Sequence, residues 1–323
     1  MSVKKIQLSH EFALADNGQR LDAALAAAFP DYSRARLQQW IKSGCVKLDG
    51  EVMDKTRYKL SGTEHVDVEA ELQEEGEWLP EPIALDIVYE DEHLLVINKP
   101  ADLVVHPAVG NRAGTLVNAL LHHAPELATV PRAGIVHRID KDTTGLLVVA
   151  RTLSAHHHLV AKLQAREFTR EYDCVVHRQM VAGGSVDAPV GRHGTKRTQM
   201  AVVPSGKPAV THYRVVEKFL DHSHLKVRLE TGRTHQIRVH MAYIKHPLVG
   251  DPVYGGRFHL PGKRTEELTR CLHRFRRQAL HASLLGLEHP VTGEALEWRA
   301  PLPADLDMLL ASLRHNRQHH DSQ

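Results

Sequence analysis

Between Arg20 and Phe29 the apolar residues Leu21, Leu25 and Phe29 recur at helical spacing, and Pro30 stops the repeat, which predicts a first helix. Ser33 stands where it would cap a second helix, with Leu37, Trp40 and Ile41 on one face and Gly44 as its terminator. Val46 and Leu48 alternate into the turn pair Asp49-Gly50, followed by Glu51-Val52, a hairpin signal. A strand over His65 to Val68 closes a small domain spanning residues 18–75. Residues 76–82, with Gly76, Pro80 and Pro82, read as an acidic linker.

A second domain is expected over residues 83–315. Ile87-Val88-Tyr89, the turn Glu90-Asp91-Glu92 and Leu94 to Ile97 form a hairpin pattern. Short strand patterns recur at Tyr172 to Val176, His212 to Val216 and Leu225 to Leu229. Helical patterns lie at Thr115 to His122 and Ser154 to Gln164, and Ala304 to Arg314 reads as an amphipathic helix. Strands and helices do not alternate strictly, so the expected class is α+β with a mostly antiparallel mixed sheet.

With 323 residues, 42% of them apolar, the chain can bury a large core and a small extra domain. Lys4 and Lys5 have no apolar run behind them, so no signal peptide is read, and the longest apolar stretches are too short to span a bilayer. The three cysteines, Cys45, Cys174 and Cys271, are widely spaced; this suits a reduced cytoplasm rather than a disulfide framework or a cysteine zinc site. Net charge is only +2, but it is unevenly spread. Residues 69–92 hold ten acids and no Lys or Arg, whereas residues 93–323 hold 31 Lys and Arg against 20 acids. A basic body of this size fits a polyanionic partner, although a solvated basic surface fits the charge equally well.

The most informative stretch runs from Gly134 to Leu146. A short apolar strand leads into His137, Arg138, Asp140, Lys141, Asp142, Thr143 and Thr144, and the chain returns to apolar residues over Leu146 to Val149. Polar residues between two apolar segments are either satisfied inside the fold or serve a site. A plain reading is a capped turn in which Asp142 or Thr143 bonds backbone N–H groups. A sharper one is Asp-x-Asp-x-Thr over Asp140 to Thr144, the nucleophile loop of Mg²⁺-dependent phosphohydrolases of the haloacid dehalogenase type. That loop requires a wholly apolar preceding strand, which His137 and Arg138 interrupt. His235, His240 and His246 raise the idea of a metal site, but no Cys or acidic ligand completes the set, and no metal is expected.

The same residues resemble a known family. His137-Arg138-Ile139-Asp140 followed by Thr143-Thr144-Gly145 is similar to the His-Arg-Leu-Asp…Thr-Ser-Gly signature of RluA-type pseudouridine synthases, with Ile139 and Thr144 as small departures. Asn98-Lys99-Pro100, Arg170-Glu171-Tyr172, Gly232 to His240, and His246 to Asp251 match further elements of that family in the right order, and the N-terminal unit resembles an S4 RNA-binding domain. The resemblance implies isomerisation of uridine to pseudouridine in 23S ribosomal RNA or the assembling large subunit, by a cytoplasmic monomer without cofactor. It implies Asp140 as the carboxylate acting at ribose C1′, by covalent attack, by charge stabilisation or through C2′ deprotonation; Arg238 as its partner; and Tyr172 as the residue stacking on the base. Arg138 would fill the gap left by an extruded uridine. His137, Lys99 and Arg233 would contact substrate, and Lys196, Arg197, Arg34 and Arg36 would hold RNA phosphates. A non-catalytic S4-type RNA-binding or ribosome-assembly protein is the third reading.

Overall fold

Leu21, Ala24 and Leu25 from α1 (Leu21–Ala28) share one buried cluster with Leu37, Trp40 and Ile41 from α2 (Arg34–Lys42), so the helical spacing read from the sequence translates directly into a core. The computed structural model describes residues 3–30, 32, 34–73, 78–107, 111–196, 198–258 and 260–322; Ser33, the expected cap of α2, and Gly76 of the expected linker lie outside them. The chain divides into two units, Met1–Glu77 and Trp78–Gln323.

In the first unit β1 (Val3–Glu11) precedes the helices, and β2 (Val46–Leu48), β3 (Glu51–Val52) and β4 (His65–Gln73) follow them, in the sheet order β1-β4-β2-β3. Asp49 and Gly50 both have positive φ, as a tight hairpin turn requires. Strand β1 begins well before residue 18, the expected start of the domain. It pairs along its whole length with β4, which therefore runs to Gln73 rather than stopping at Val68. Asp22 is fully buried and accepts hydrogen bonds from Arg20, Arg34 and Gln38, which ties α1 to α2. Burial works against its charge, yet these partners hold its pKa below the usual carboxylate value.

The second unit contains β5 (Ile87–Glu90), β6 (Leu94–Lys99), α3 (Leu116–His123), β7 (Thr144–Ala150), α4 (Leu153–Gln164), β8 (Thr169–His177), β9 (Gly184–Asp187), β10 (Val190–Arg192) and β11 (Met200–Val202). It continues with β12 (Val210–Lys218), β13 (His222–Leu229), α5 (Gln236–Tyr243), α6 (Glu266–Arg274), β14 (Leu280–Glu288), β15 (Ala295–Arg299) and α7 (Ala304–Asp321). Nine strands form one sheet in the order β5-β6-β7-β14-β8-β13-β12-β9, with β15 on β14. Among the described residues of this sheet only the β7–β14 pair is parallel, so the sheet is mixed and mostly antiparallel. Helix α7 extends beyond residue 315, the expected end of the domain.

All seven residues of β7 are buried. Leu147 and Val149 join the core that holds α3, while Leu146, Val148 and Ala150 join the core that holds Leu159 of α4. A strand covered on both faces reads as a continuous apolar run. Gly145 has φ +111°, and a Cβ there would lie 2.2 Å from the Ala282 carbonyl oxygen, so the parallel pairing with β14 requires glycine. The expected strand over Gly134 to Val136 does not form. Positive φ at Arg132, Ala133 and Gly134 turns the chain, and Ile135 makes a single bridge to Val149. Residues 136–140 are therefore irregular, and the polar cluster sits on a loop.

Candidate active site

The loop from Asp140 to Thr143 connects this irregular stretch to β7 and is fixed from several directions. Thr143 N donates to the Asp140 carbonyl, and Gln278 Nε2 donates to Thr143 Oγ1 at 2.9 Å. Lys99 Nζ donates to the Lys141 carbonyl at 2.8 Å, and Arg277 donates to the Asp142 carbonyl at 3.3 Å. The Asp140 side chain, 19% exposed, is thus presented on a rigid turn at the wall of a cavity of about 540 Å³.

Arg238 approaches that carboxylate from α5, with Nη1 donating to Asp140 Oδ2 at 2.8 Å. Its other face is held by Asp251, which accepts from Nε at 2.7 Å and Nη2 at 2.9 Å. The two-point contact of Arg238 is therefore made with Asp251, and Asp140 receives one bond. Asp251 also accepts from Val253 N and Tyr254 N, and the Tyr254 ring lies 5.0 Å from the guanidinium carbon. Burial opposes both charges. Arg238 nevertheless keeps the Asp251 pKa below its usual value, and Asp251 and then Asp140 raise that of Arg238. Arg238 is a fixed cation aimed at one carboxylate oxygen.

The motif around Arg238 folds through its own side chains. Gln236 Oε1 accepts from Thr231 Oγ1 and Arg233 N, while its Nε2 donates to Val210 O and Thr211 Oγ1. His235 caps α5 with a left-handed backbone, φ 57°, and its Nδ1 lies 2.7 Å from Tyr254 Oη. Its Nε2 is 3.8 Å from Asp140 Oδ1; burial lowers the His235 pKa despite that carboxylate.

Tyr172, on β8, lines the same cavity and is 6% exposed; burial raises its pKa, Arg170 opposes the shift and Asp140 adds to it. His137 also lines the cavity. Its Nε2 accepts from Val148 N at 3.2 Å, and burial, aided by Arg170, pushes its pKa down to about 3, so it is neutral. Arg138 is exposed on the cavity wall, and Arg233 lines it with Nε donating to the Pro208 carbonyl.

Other expected contacts lie elsewhere. Lys99 was expected to contact substrate, but it is fully buried. Its Nζ donates to the carbonyls of Pro100, Leu103 and Lys141, three acceptors that match the three protons of an ammonium group, while burial lowers its pKa to about 7. With no exposed area it supports the loop from beneath instead of meeting RNA. Lys196 is exposed on the turn between β10 and β11, outside the cavity, and Arg197 lies outside the described residues. Arg34 and Arg36 sit on α2 of the first unit, where Arg34 is half exposed and bound to Asp22. His240 contacts Thr211 Oγ1 and the Ala188 carbonyl, and His246 the His177 carbonyl. Among the described residues no three His, Cys, Asp or Glu side chains converge as metal ligands, and no helix is long and apolar enough to cross a membrane.

Asp251, Tyr254, Gln236, His235 and Arg170 surround the candidate site, yet none stood out in the sequence as catalytic or substrate-binding, and His235 was weighed only as a metal ligand. Asp251 carried a usable signal, a lone acid after Gly250 in a basic segment. The assembled cavity, lined mostly by polar and charged side chains, can receive a small planar group beside Tyr172 and present the Asp140 carboxylate to it.

The sequence pattern of the family described as RNA pseudouridylate synthase matches residues 93–243, and that of the S4 domain matches residues 19–66. The chain is similar to the ribosomal large subunit pseudouridine synthase D of Escherichia coli (strain K12), with 56% identity over 317 residues, 98% of this chain and 97% of that protein. It is equally similar to the synthase D of Pseudomonas aeruginosa, with 56% identity over 313 residues, 97% of this chain and 98% of that protein. Among solved structures it is similar to human RNA pseudouridylate synthase domain containing 4, with a TM-score of 0.56, 27% identity and coverage of 71% of this chain and 92% of that one.

Proposed function

The chain belongs to the RNA pseudouridylate synthase family, and from that premise we propose that it isomerises uridines of 23S ribosomal RNA in the cytoplasm, with Asp140 acting at ribose C1′ of an extruded uridine. The observation that carries the reading is the Asp140 carboxylate, pinned by Arg238 and facing a cavity that Tyr172 also lines. A cavity of about 540 Å³ suits one nucleotide and is far too small for a duplex, which agrees with base flipping.

In the reaction the C1′–N1 bond breaks and its electron pair leaves with uracil. Asp140 offsets the positive charge at C1′, by bonding to it or by proximity. Uracil turns against the Tyr172 ring, C5 bonds to C1′ as any Asp140–C1′ bond breaks and returns its electron pair to the carboxylate, and the proton lost from C5 is balanced by one gained at N1. Atoms and electrons are conserved. Arg138, exposed at the cavity wall, enters the stack where the uridine left. The S4 domain, with Arg34 and Arg36 on α2, adds phosphate contacts that supply affinity and salt dependence.

Carbodiimide primer-extension mapping of 23S rRNA, from cells with and without this protein, tests the proposal. Stops at discrete uridines that disappear with the protein are expected. An unchanged pattern would reject 23S rRNA as the substrate.

A further inference from the structure

Buried cations in the second unit normally have partners. Arg238 has Asp251 and Asp140, Arg277 has Asp305 and three carbonyls, and Lys99 has three carbonyls. Arg170 is the exception. It is 7% exposed, its Nε is fully buried without a partner, and its guanidinium makes no hydrogen bond and no ion pair among the described residues. Burying a charged group without such compensation is unfavourable, and a ligand in the cavity that Arg170 lines can supply it.

The position of Arg170 says which ligand. It precedes Tyr172 by two residues on β8, so both side chains leave the same face of the strand and line the Asp140 cavity. Its Nη1 lies against the bare Cα of Gly232, where a Cβ would fall 2.9 Å away. Gly232 begins the segment that carries His235 and Arg238, so the guanidinium is wedged between the strand bearing Tyr172 and the segment bearing the partner of Asp140. Glu230 also lines the cavity, but it is engaged by His212 and Arg166.

We propose that Arg170 receives an anionic oxygen of the target nucleotide inside the catalytic cavity, which makes it a substrate-contacting residue of the reaction. This rests on the function proposed above. Two oxygens have the required chemistry. One is a non-bridging oxygen of the phosphate flanking the target uridine. The other is a uracil carbonyl oxygen, which gains negative charge when the C1′–N1 electron pair leaves with the base. An arginine meets either through charge-assisted hydrogen bonds.

The test uses the full chain and a stem-loop RNA carrying a mapped uridine. Kd and the single-turnover rate at saturating enzyme are measured for wild type, Arg170→Met and Arg170→Lys, on unmodified RNA and on RNA with a neutral methylphosphonate beside the target. If the phosphate is the ligand, Arg170→Met raises Kd roughly 10- to 100-fold, the size of one charge-assisted hydrogen bond, and the difference vanishes on methylphosphonate RNA. If uracil is the ligand, Kd holds and the rate falls roughly 10- to 100-fold on both RNAs. In either case Arg170→Lys recovers part of the loss, and the free Arg170→Met protein melts at a higher temperature because an uncompensated charge is gone. Unchanged Kd and rate in Arg170→Met, alongside active wild type, would overturn this inference alone. So would a lower melting temperature with no recovery by lysine, which marks a structural arginine. Wild type that makes no pseudouridine would overturn the underlying function.

Discussion

Asp140 and Asp142 lie two residues apart on one loop, yet they face different environments. Asp140 lines the cavity of about 540 Å³ and is bonded to Arg238, itself fixed by Asp251. Asp142 lines another cavity, of about 630 Å³, shared with Phe275, Arg277 and Met308; its carboxylate makes no hydrogen bond or ion pair among the described residues. The difference shows why Asp-x-Asp-x-Thr is a misleading string here. A phosphohydrolase needs both carboxylates on one side, sharing a substrate and a cation. This loop turns them apart, and the family assignment agrees with the isomerase. What makes a carboxylate functional is the network that aims it, and only one side of the loop has such a network.

Two substitutions probe that contrast. Asp251→Asn strikes the Asp140 side without touching Asp140. It removes the anion that orients Arg238, so the single-turnover rate should fall by about 100-fold or more, as for a misplaced catalytic group. Chemical unfolding should also show a loss of about 3–5 kcal/mol, because Arg238 loses a partner of its buried ion pair. A normal rate in a folded variant would mean that Arg238 is aimed without Asp251. Lys99→Met strikes the loop from beneath. Three carbonyls lose their donor, and stability should drop by about 2–4 kcal/mol, or roughly 5–10 °C in Tm. Partial activity should remain in the folded fraction, since Gln278 and Arg277 still hold the loop. An unchanged melting curve would mean that Lys99 does not anchor it.

Much of this was legible in the sequence, for identifiable reasons. Helices α1, α3 and α4 and the Asp49-Gly50 hairpin follow apolar spacing and turn chemistry closely. Motif order singled out Asp140, Tyr172 and Arg238; Asp140 and Arg238 are 98 residues apart and only the fold brings them together. Helix α5 left no periodic signal because it buries Gln236, Arg238 and His240 by hydrogen bonding rather than apolar packing. Strand β14 was missed because its mostly buried run lacks a period that separates strand from helix. Lys99 was misread because a lysine beside a motif suggests an exposed contact, and nothing local reveals that three carbonyls surround it. Arg170 lies in the Arg170-Glu171-Tyr172 motif, but its lack of partners is a three-dimensional property.

The most direct measurement of the central claim is single-turnover pseudouridine formation on a mapped rRNA stem-loop by wild type, Asp140→Asn and Asp142→Asn, with RNA affinity followed in parallel. Asparagine keeps the size of each side chain and removes its charge. Asp140→Asn should bind RNA and form no detectable pseudouridine, because neither a bond to C1′ nor charge stabilisation there survives. Asp142→Asn should retain most of the wild-type rate. Appreciable pseudouridine from Asp140→Asn, or loss of activity confined to Asp142→Asn, would contradict the account.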